Sequence, residues 1–395
     1  MSIESLRPAR RILELPPYIF SELNALKAEA QKRGIELMSL AIGDPDRPTP
    51  DAIVRKIQEA AAKPQNHLYS PYEGCLAFRT AVKQWFSGRF GVELDSSTEI
   101  VSLIGSKEGI AHFPVAFCNP GDKALFPSPG YPVFETCIRL ADGVPVPLPH
   151  RPENGFLPEL NELEGLLKEH RPKFMILNYP SNPTTAVADR ALLEGLVALA
   201  RRYETIIVYD NAYSEIYYDE KDRPLSILQI PGAKEIAIEF HSLSKSFNMT
   251  GWRLGFAVGN PVLVGGLLRA KTNIDSGPVL TVQEAGIFAL AHSAELSGEI
   301  RQVYAERMRL TLAGLDRLGI EYFRPRATFF IWAKVPGGKP SMAFTKELIE
   351  RQGLVVTPGI GFGKEGESFF RLALTVPTSR IEQAMERLER YLSKA

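Results

Sequence analysis

The 395-residue sequence has little cysteine, no excess of either charge and no long apolar run. Lysine plus arginine and aspartate plus glutamate both total 46, so no basic excess is available to neutralise a nucleic acid. No apolar stretch approaches the ~20 residues that span a bilayer, and the N-terminal residues lack the apolar core of a secretory signal. The three cysteines, Cys75, Cys118 and Cys137, lack metal-ligand spacing and indicate reduced thiols. We therefore expect a cytoplasmic protein without a metal, a nucleic-acid partner or a membrane partner.

Short apolar segments alternate with helix-like segments between residues 99 and 259. Helical periodicity is clearest at residues 107–118 and 188–203. This alternation predicts βαβ units and a mainly parallel sheet, and ligand sites in such sheets lie at the carboxyl ends of the strands. The predicted strands are residues 99–105, 123–128, 173–178, 205–210, 235–240 and 254–259.

The pattern changes after residue 280. One long helical stretch is predicted at residues 281–319, and strand-like segments follow at 327–335 and 368–376 with helix-like segments between and after them. This arrangement predicts a smaller α+β domain, and we expect the first 45 residues to pack beside it. The predicted division is a large domain of residues 46–285 and a small domain of residues 1–45 and 286–395, which includes an N-terminal arm.

One lysine, Lys245, lies among hydroxyl groups in the segment HSLSKSFNMTGWR, residues 241–253. Ser242 and Ser244 precede it, and Arg253 follows it. Hydroxyls and a guanidinium can bind a phosphate and so hold the aldehyde of a carbonyl cofactor against the amine. A lysine between serines is also an ordinary solvated loop, so the other parts of such a site must come from elsewhere in the chain.

Three polar residues follow predicted strands. Asp210 ends one strand and can stabilise a protonated pyridine nitrogen, although a helix N-cap is the alternative. Tyr213 can donate its hydroxyl to a phenolic oxygen, or it can simply pack in the core. Asn182, in NYPSNPTTA, can donate to the same oxygen or form an Asn-Pro turn. The strand-end positions of Asp210 and Asn182 favour the functional interpretation for these two residues.

The segment GSKEG, residues 105–109, joins a predicted strand to a predicted helix. Gly105, Ser106 and Lys107 there offer backbone N–H groups, a hydroxyl and the helix dipole to an anion. Tyr131, in SPGYPVFE, can lie against a cofactor ring or serve as a core or turn aromatic. Together they predict a phosphate-binding end of the site.

Arg371 lies in an otherwise apolar predicted strand, FFRLALTV. An arginine in this setting is costly unless it is paired. The α-carboxylate of a substrate suits the planar guanidinium, and a protein carboxylate is the alternative partner. Because this strand belongs to the predicted small domain, the first interpretation places a substrate between the two domains.

Taken together, these residues resemble a fold type I, class I/II aminotransferase dependent on pyridoxal 5′-phosphate, and the resemblance covers nearly the whole chain. The matching motifs, in order, are GDPD (43–46), YSPYEG, GSKEG, GYP, SNPTT, DNAY, SLSK, GWRLG and FFRLAL. The resemblance implies an α/β fold with a mainly parallel, seven-stranded sheet in the large domain and a smaller α+β domain. It also implies amino acids and 2-oxo acids as substrates.

The resemblance further implies roles for the matching residues. Lys245 would form the imine with the cofactor, and Asp210 would pair with the ring nitrogen. Asn182 and Tyr213 would contact the phenolic oxygen, while Arg371 would bind the substrate α-carboxylate. The other implied contacts are Gly105, Ser106, Lys107, Tyr131, Ser242, Ser244 and Arg253 for the cofactor, and Gly43, Asn182 and Tyr18 for the substrate.

Tyr69 matches a tyrosine that reaches the phosphate of the partner subunit's cofactor. The resemblance therefore implies a homodimer with two shared active sites.

The segments LPPYIF, GSKEGIAHFPVAF, NMTGWRLGFAVGN and RAKTNIDSG are similar to the LL-diaminopimelate aminotransferase branch. This similarity implies amino transfer between LL-diaminopimelate and 2-oxoglutarate in lysine biosynthesis, with Tyr18, Glu73, Lys107, Asn273 and Asp275 as candidates for the distal end of the substrate. The alternatives are an aspartate, alanine or aromatic aminotransferase, and a pyridoxal-phosphate-dependent C–S β-lyase. A cofactor-binding regulatory protein is disfavoured because the residues before GDPD leave no room for a DNA-binding helix-turn-helix and the chain has no basic excess.

Overall fold

The computed structural model describes residues 7–16 and 19–393. The α-helices are α1 Arg10–Leu13, α2 Ile19–Lys32, α3 Asp51–Ala61, α4 Leu76–Phe90, α5 Ser106–Phe117, α6 Val133–Leu140, α7 Leu160–His170, α8 Arg190–Arg202, α9 Leu243–Ser246, α10 Pro261–Lys271, α11 Leu280–Ala291, α12 Ser293–Arg317, α13 Ser341–Gln352 and α14 Thr378–Leu392. The strands are β1 Met38–Ser39, β2 Ile100–Leu103, β3 Lys123–Ser128, β4 Val144–Pro149, β5 Phe174–Asn178, β6 Ile206–Asp210, β7 Ala237–Ser242, β8 Gly255–Gly259, β9 Tyr322–Phe323, β10 Phe330–Lys334, β11 Leu354–Val355, β12 Thr357–Pro358 and β13 Phe369–Ala373.

Seven strands form the main sheet in the order β2-β8-β7-β6-β5-β3-β4. Strands β4, β3, β5, β6 and β7 pair in parallel, while β8 is antiparallel to both β7 and β2. The predicted mainly parallel, seven-stranded sheet is therefore confirmed. Because β5, β6 and β7 run in the same direction, the residues that follow them meet at one edge of the sheet.

Alternate residues of these strands pack on opposite faces of the sheet, as the two-residue period of a strand requires. On one face, residues such as Ile176 and Phe240 pack with Phe113 of α5 and Leu267 of α10. On the other face, neighbouring strand residues such as Met175 and Ile207 pack against α4, α8 and α11. Leu196 of α8 belongs to this second cluster. The sheet is therefore the middle layer of three, and both faces are buried.

Strand β4 is absent from the predicted strands because its sequence, VPVPLP, has proline at every second position. Proline lacks an N–H and is tolerated only where no ladder bond is needed. β4 is an edge strand paired with β3 alone, and the N–H groups of Val144 and His150 donate to the β3 side at 2.8 Å. The prolines therefore occupy the positions whose nitrogens face the open edge.

The second, four-stranded sheet has the order β12-β13-β10-β9 and is antiparallel. It packs with α13 and α14 around Phe370, Leu348 and Leu388. The chain before residue 46 joins this region, because β1 pairs in parallel with β11 and Leu23 packs with Ile349. The division into residues 46–285 and residues 1–45 with 286–395 remains a prediction.

The single helix predicted at residues 281–319 is wrong, because two helices, α11 and α12, meet at His292. The Phe288 carbonyl accepts hydrogen bonds from the His292 backbone at 3.1 Å and from the His292 Nδ1 at 2.9 Å. The side chain thus caps the end of α11, where the backbone leaves helical geometry. Within the described part of the chain, no helix combines the length and apolarity required to cross a membrane.

We expect Leu196→Ala to lower the free energy of unfolding by about 2–5 kcal/mol, because it removes a fully buried side chain and leaves a cavity. Val262→Ala is the matched control, since this side chain is 72% exposed, and it should have little effect. Denaturant unfolding of both variants measures the difference. Equal losses of stability would contradict the described layering.

Candidate active site

A cavity of about 460 Å³ opens at the carboxyl ends of β5, β6 and β7 and reaches strands β10 and β13 of the four-stranded sheet. Its walls combine the sheet edge, the start of α5, the short helix α9 and the segment after β1. The lining residues are Ile42, Gly43, Asp44, Ser106, Lys107, Ile110, Tyr131, Asn178, Asn182, Asp210, Ala212, Tyr213, Ser242, Ser244, Lys245, Thr250, Gly251, Arg253, Phe330 and Arg371.

Lys245 reaches the cavity because β7 ends at Ser242 and α9 begins directly afterwards. The Ser242 Oγ caps this turn by accepting a hydrogen bond from the Ser244 N–H at 3.3 Å. The Lys245 Nζ donates to the Gly43 carbonyl at 3.0 Å. The pKa of Lys245 is lowered to about 8, mainly because the amine is buried; the Asp44 carboxylate opposes this shift, and the positive charges of Arg253 and Arg371 add to it. The fraction of this amine that is neutral and nucleophilic near neutral pH is therefore far larger than for an exposed lysine.

Asp210 ends β6 and is 6% exposed. Its Oδ1 accepts a hydrogen bond from the Ala212 N–H at 3.2 Å. Burial raises the pKa of Asp210 to about 7, and the bond from Ala212 only partly offsets this effect. A cationic partner in the cavity would lower the pKa and keep the carboxylate ionised.

Two asparagines tie the ends of β5 and β6 together. The Asn178 Nδ2 donates to the main-chain carbonyl of Asp210 at 3.0 Å. The Asn178 Oδ1 accepts from the Asn182 N–H at 2.8 Å. Asn178 therefore fixes the loop that carries Asn182 relative to the strand that carries Asp210.

Arg371 lies in the middle of β13 and is 3% exposed. Its Nη1 donates to the Asn182 Oδ1 at 2.7 Å, and its Nη2 donates to the Ala41 carbonyl at 2.6 Å. The guanidinium carbon lies 4.2 Å from the ring centre of Phe330 and 4.8 Å from that of Phe362. The two rings hold the guanidinium plane by cation–π contact and shield it from water.

The start of α5 and Arg253 form the most cationic wall of the cavity. The first N–H groups of α5, at Ser106 and Lys107, have no partner within the helix, so they favour an anion. The Arg253 Nη1 and Nη2 donate to the carbonyls of Thr250 and Ile104 at 2.9 and 3.2 Å. A Cβ at Gly105 would lie 2.5 Å from the Arg253 Nη2, so only glycine permits this approach.

Two features of the cavity fit pyridoxal phosphate. The Ser244 Oγ is buried and has no hydrogen-bond partner among the described residues, so a phosphate oxygen would satisfy it. The raised pKa of Asp210 indicates a buried carboxylate suited to a cationic ring nitrogen. The donors at the start of α5 lie in the same cavity.

The structure brings most of the predicted site residues together, since twelve of them line the cavity. Gly105 does not line the cavity, but its lack of a side chain leaves room for the Arg253 guanidinium. Tyr69 lies outside this cavity and is 89% exposed. Tyr18 lies outside the described residues. The twelve are Gly43, Ser106, Lys107, Tyr131, Asn182, Asp210, Tyr213, Ser242, Ser244, Lys245, Arg253 and Arg371.

Three candidates for the distal end of the substrate do not line this cavity: Glu73, Asn273 and Asp275. Asp275 accepts two hydrogen bonds at 3.1 Å from the buried Lys271 Nζ and a third at 2.8 Å from the Gly277 N–H. The Glu73 Oε1 lies 3.8 Å from the Arg79 Nη2. The Asn273 Nδ2 donates a hydrogen bond to the Arg269 carbonyl at 2.8 Å. Within one chain, all three have structural contacts.

Sequence reasoning missed Asp44, Asn178 and Phe330, which also line the cavity. Asn178 ends a predicted strand, so the rule that located Asp210 could have located it. Asp44 belongs to the GDPD motif but carries no pattern of its own. Phe330 is indistinguishable in sequence from the other aromatics of an apolar strand, so no signal for it existed.

Comparison with known proteins agrees with this geometry. A model of the family described as aminotransferase class I and II matches residues 35–388. The chain is 50% identical to the LL-diaminopimelate aminotransferase of Nitratidesulfovibrio vulgaris strain DP4, over 96% of this chain and 98% of that protein. It is 49% identical to the enzyme of that name from Aquifex aeolicus strain VF5, over 96% of this chain and 97% of that protein. The solved structure of substrate-bound BacF from Bacillus subtilis superposes with a TM-score of 0.92 at 31% identity, over 98% of this chain and 97% of that one.

The fold and the cavity together define an α/β transferase of the pyridoxal-phosphate-dependent type. The chain belongs to the class I and II aminotransferase family. It is an aminotransferase, and its cofactor is pyridoxal 5′-phosphate.

We expect the cofactor-free protein to take up pyridoxal phosphate faster as the pH rises through about 8, because only the neutral Lys245 amine attacks the aldehyde. Absorbance of the protein-bound cofactor after rapid mixing measures the rate. Asp44→Asn should move the midpoint of this rise to lower pH, because the Asp44 carboxylate favours the ammonium form. A midpoint near the ordinary lysine value of 10.5 would contradict the effect of burial.

Proposed function

We propose that this chain is an LL-diaminopimelate aminotransferase that transfers an amino group between glutamate and tetrahydrodipicolinate, forming LL-diaminopimelate for lysine biosynthesis. The observation that carries this proposal is the 48–50% identity to relatives of that name over 96–98% of the chain. The cavity is compatible with a substrate that carries several charges, because it presents four cationic side chains and two carboxylates. These are Lys107, Lys245, Arg253 and Arg371, with Asp44 and Asp210.

The phosphate of the cofactor is assigned to the cationic wall. Ser106, Ser242 and Ser244 would donate their hydroxyls, Arg253 would supply charge, and the start of α5 would add backbone N–H groups. The approach of Arg253 to Gly105 supports this assignment, as does the buried Ser244 Oγ, which has no hydrogen-bond partner in the described ranges 7–16 and 19–393. In this arrangement the phosphate anchors the cofactor within reach of the lysine.

The ring end of the cofactor is assigned to the ends of β5 and β6. Asp210 would keep the ring nitrogen protonated, and Asn182 and Tyr213 would donate to the phenolic oxygen. Tyr131 would lie against the ring face. Packing of Tyr213 against Phe329 and Phe330, with ring centres 5.5 and 5.6 Å apart, supports a fixed position for its hydroxyl.

The proposed mechanism distributes the work among these side chains. Bound pyridoxal phosphate supplies an aldehyde for imine exchange and a ring that accepts the electron pair of the substrate Cα–H bond. Arg371 binds the α-carboxylate and orients Cα toward Lys245, with Gly43 beside it. The Lys245 Nζ would take up the Cα proton as a base and, as the resulting ammonium, would give the proton up again as an acid to complete the amino transfer. A lysine pKa of about 8 suits both directions of this transfer.

The domain division supports a substrate bound between two parts of the chain. Residues 46–285 would supply the cofactor contacts, while Arg371 in residues 286–395 and Gly43 in residues 1–45 would contact the substrate. Closure of the smaller part over the larger one would exclude water during the transfer.

The proposal includes a cytoplasmic homodimer in which each subunit completes its partner's site. Tyr69 would donate its hydroxyl to the phosphate bound by the other subunit. Its 89% exposure supports this, as does the exposed apolar surface formed by Leu68, Tyr72 and Ile274, which are 72%, 46% and 52% exposed.

Lys245→Ala should lower turnover by about 100- to 10,000-fold or more, because a positioned proton-transfer group and the imine partner are lost together. The variant should also lose the absorbance of lysine-linked cofactor. Lys221→Ala is the control, since that side chain is 76% exposed, and it should retain both properties. Turnover by Lys245→Ala at the wild-type rate would refute the assignment.

Among amino donors offered with 2-oxoglutarate, LL-diaminopimelate should give the highest kcat/KM, measured by formation of glutamate. Aspartate, alanine and aromatic amino acids are the comparison donors. A higher kcat/KM for one of these would assign the chain to that substrate instead. Pyruvate and ammonia from a cysteine conjugate, without amino transfer, would indicate a β-lyase.

A further inference from the structure

We propose that Gln283 is a positioning residue that presents Tyr69 to the cofactor site of the partner subunit. The inference rests on the proposed homodimer with shared sites, and it adds a residue that acts on the site of the other chain. Gln283 lies in α11, outside the cavity of its own chain, and is completely buried.

The side-chain amide of Gln283 makes three hydrogen bonds to the chain on either side of it. Its Nε2 donates to the Ser70 Oγ at 2.7 Å and to the Pro278 carbonyl at 2.8 Å. Its Oε1 accepts from the Cys75 N–H at 2.8 Å. Both donor hydrogens and the oxygen are used, so no other side chain of similar shape reproduces this pattern.

Two of these bonds hold the two ends of the turn at residues 70–75. Within the turn, Gly74 has a φ of +93°, and a Cβ there would lie 2.4 Å from the Ser102 Oγ and 3.1 Å from the Gln283 Oε1. The Ser102 N–H also donates to the Glu73 carbonyl at 2.9 Å. The turn is therefore pressed against β2 and α11 and has little freedom to move.

Tyr69 directly precedes this anchored turn. Ser70 is 8% exposed whereas Tyr69 is 89% exposed, so the chain changes from buried to exposed within one residue. The direction in which Tyr69 leaves the surface is set by the anchored Ser70. Loss of the Gln283 amide would release that anchor without removing any group from the cavity of the same chain.

The third bond aligns a second exposed segment with the first. Pro278 lies between Ile274 and Val279, which are 52% and 61% exposed. A Cβ at Gly277 would lie 3.4 Å from the Tyr72 carbonyl, so the two segments are in contact. One buried amide thus holds together the apolar surface from which Tyr69 projects.

The first measurement is the affinity for pyridoxal phosphate of dimeric Gln283→Met, which lacks both donors and the acceptor. We expect affinity to fall by about 10- to 100-fold, the range for loss of a hydrogen bond to a charged group. Gln31→Met is the matched control, because Gln31 is exposed on α2, and its affinity should equal that of the wild type. Unchanged affinity in Gln283→Met would overturn the inference.

Mixed dimers separate an effect on the partner's site from an effect within one chain. In a dimer of Gln283→Met with Lys245→Ala, the site that keeps Lys245 receives Tyr69 from a chain with intact Gln283, so wild-type affinity should return. In a dimer of wild type with the double variant Lys245→Ala, Gln283→Met, the same site should bind weakly. The opposite pair of results would show that Gln283 acts within its own chain and would overturn the inference.

Tyr69→Phe, tested in the same two pairings, distinguishes failure of this inference from failure of the shared site. If Tyr69→Phe weakens binding only at the site of the partner subunit and Gln283→Met does not, only the role of Gln283 is refuted. If neither variant does, the proposed sharing of sites is refuted as well. Gln283→Glu, which keeps the side-chain shape and the acceptor oxygen, replaces Gln283→Met in every pairing if the latter does not fold.

Discussion

The hydrogen bonds of Arg371 connect the parts of the chain on which the active site depends. Its guanidinium joins β13 to Asn182 after β5 and to Ala41 after β1, the latter 330 residues away in sequence. The rings of Phe330 and Phe362 fix its plane. Displacement of β13 from these partners would break the bonds and leave a buried charge unpaired, which is costly. The same hydrogen bonds therefore fix both the packing of the four-stranded sheet and the geometry of the cavity.

Burial sets the chemistry of the cavity in two opposite directions. It lowers the pKa of Lys245 to about 8, which provides a neutral amine, and it raises the pKa of Asp210 to about 7, which prepares that residue for a cationic partner. Both shifts share desolvation as their main cause. The value for Lys245 also includes the effects of nearby charges: Arg253 and Arg371 lower its pKa, and Asp44 raises it. Burial at the sheet edge thus prepares an acid and a base with one physical effect.

Much of the fold could be predicted from the sequence because its signals are local. Apolar strand segments and helical periodicity located six of the seven strands in the main sheet. The exceptions have identifiable causes. Strand β4 contains alternating prolines that only an open sheet edge accepts, and the break at His292 depends on one side chain capping the preceding helix. Of the cavity residues, Asp210 and Asn182 could be predicted from their place after strands, whereas Phe330 could not.

By itself the sequence determined most of the order of strands and helices, the residue types that follow the predicted strands, and membership of a family through its motifs. Only the tertiary structure decided which of these residues meet in one cavity and which, such as Tyr69, point away from it. It also decided the protonation of Lys245 and Asp210. The reason is that desolvation and charge–charge interaction depend on distance through space and on the exclusion of water, and neither quantity is encoded by neighbours along the chain.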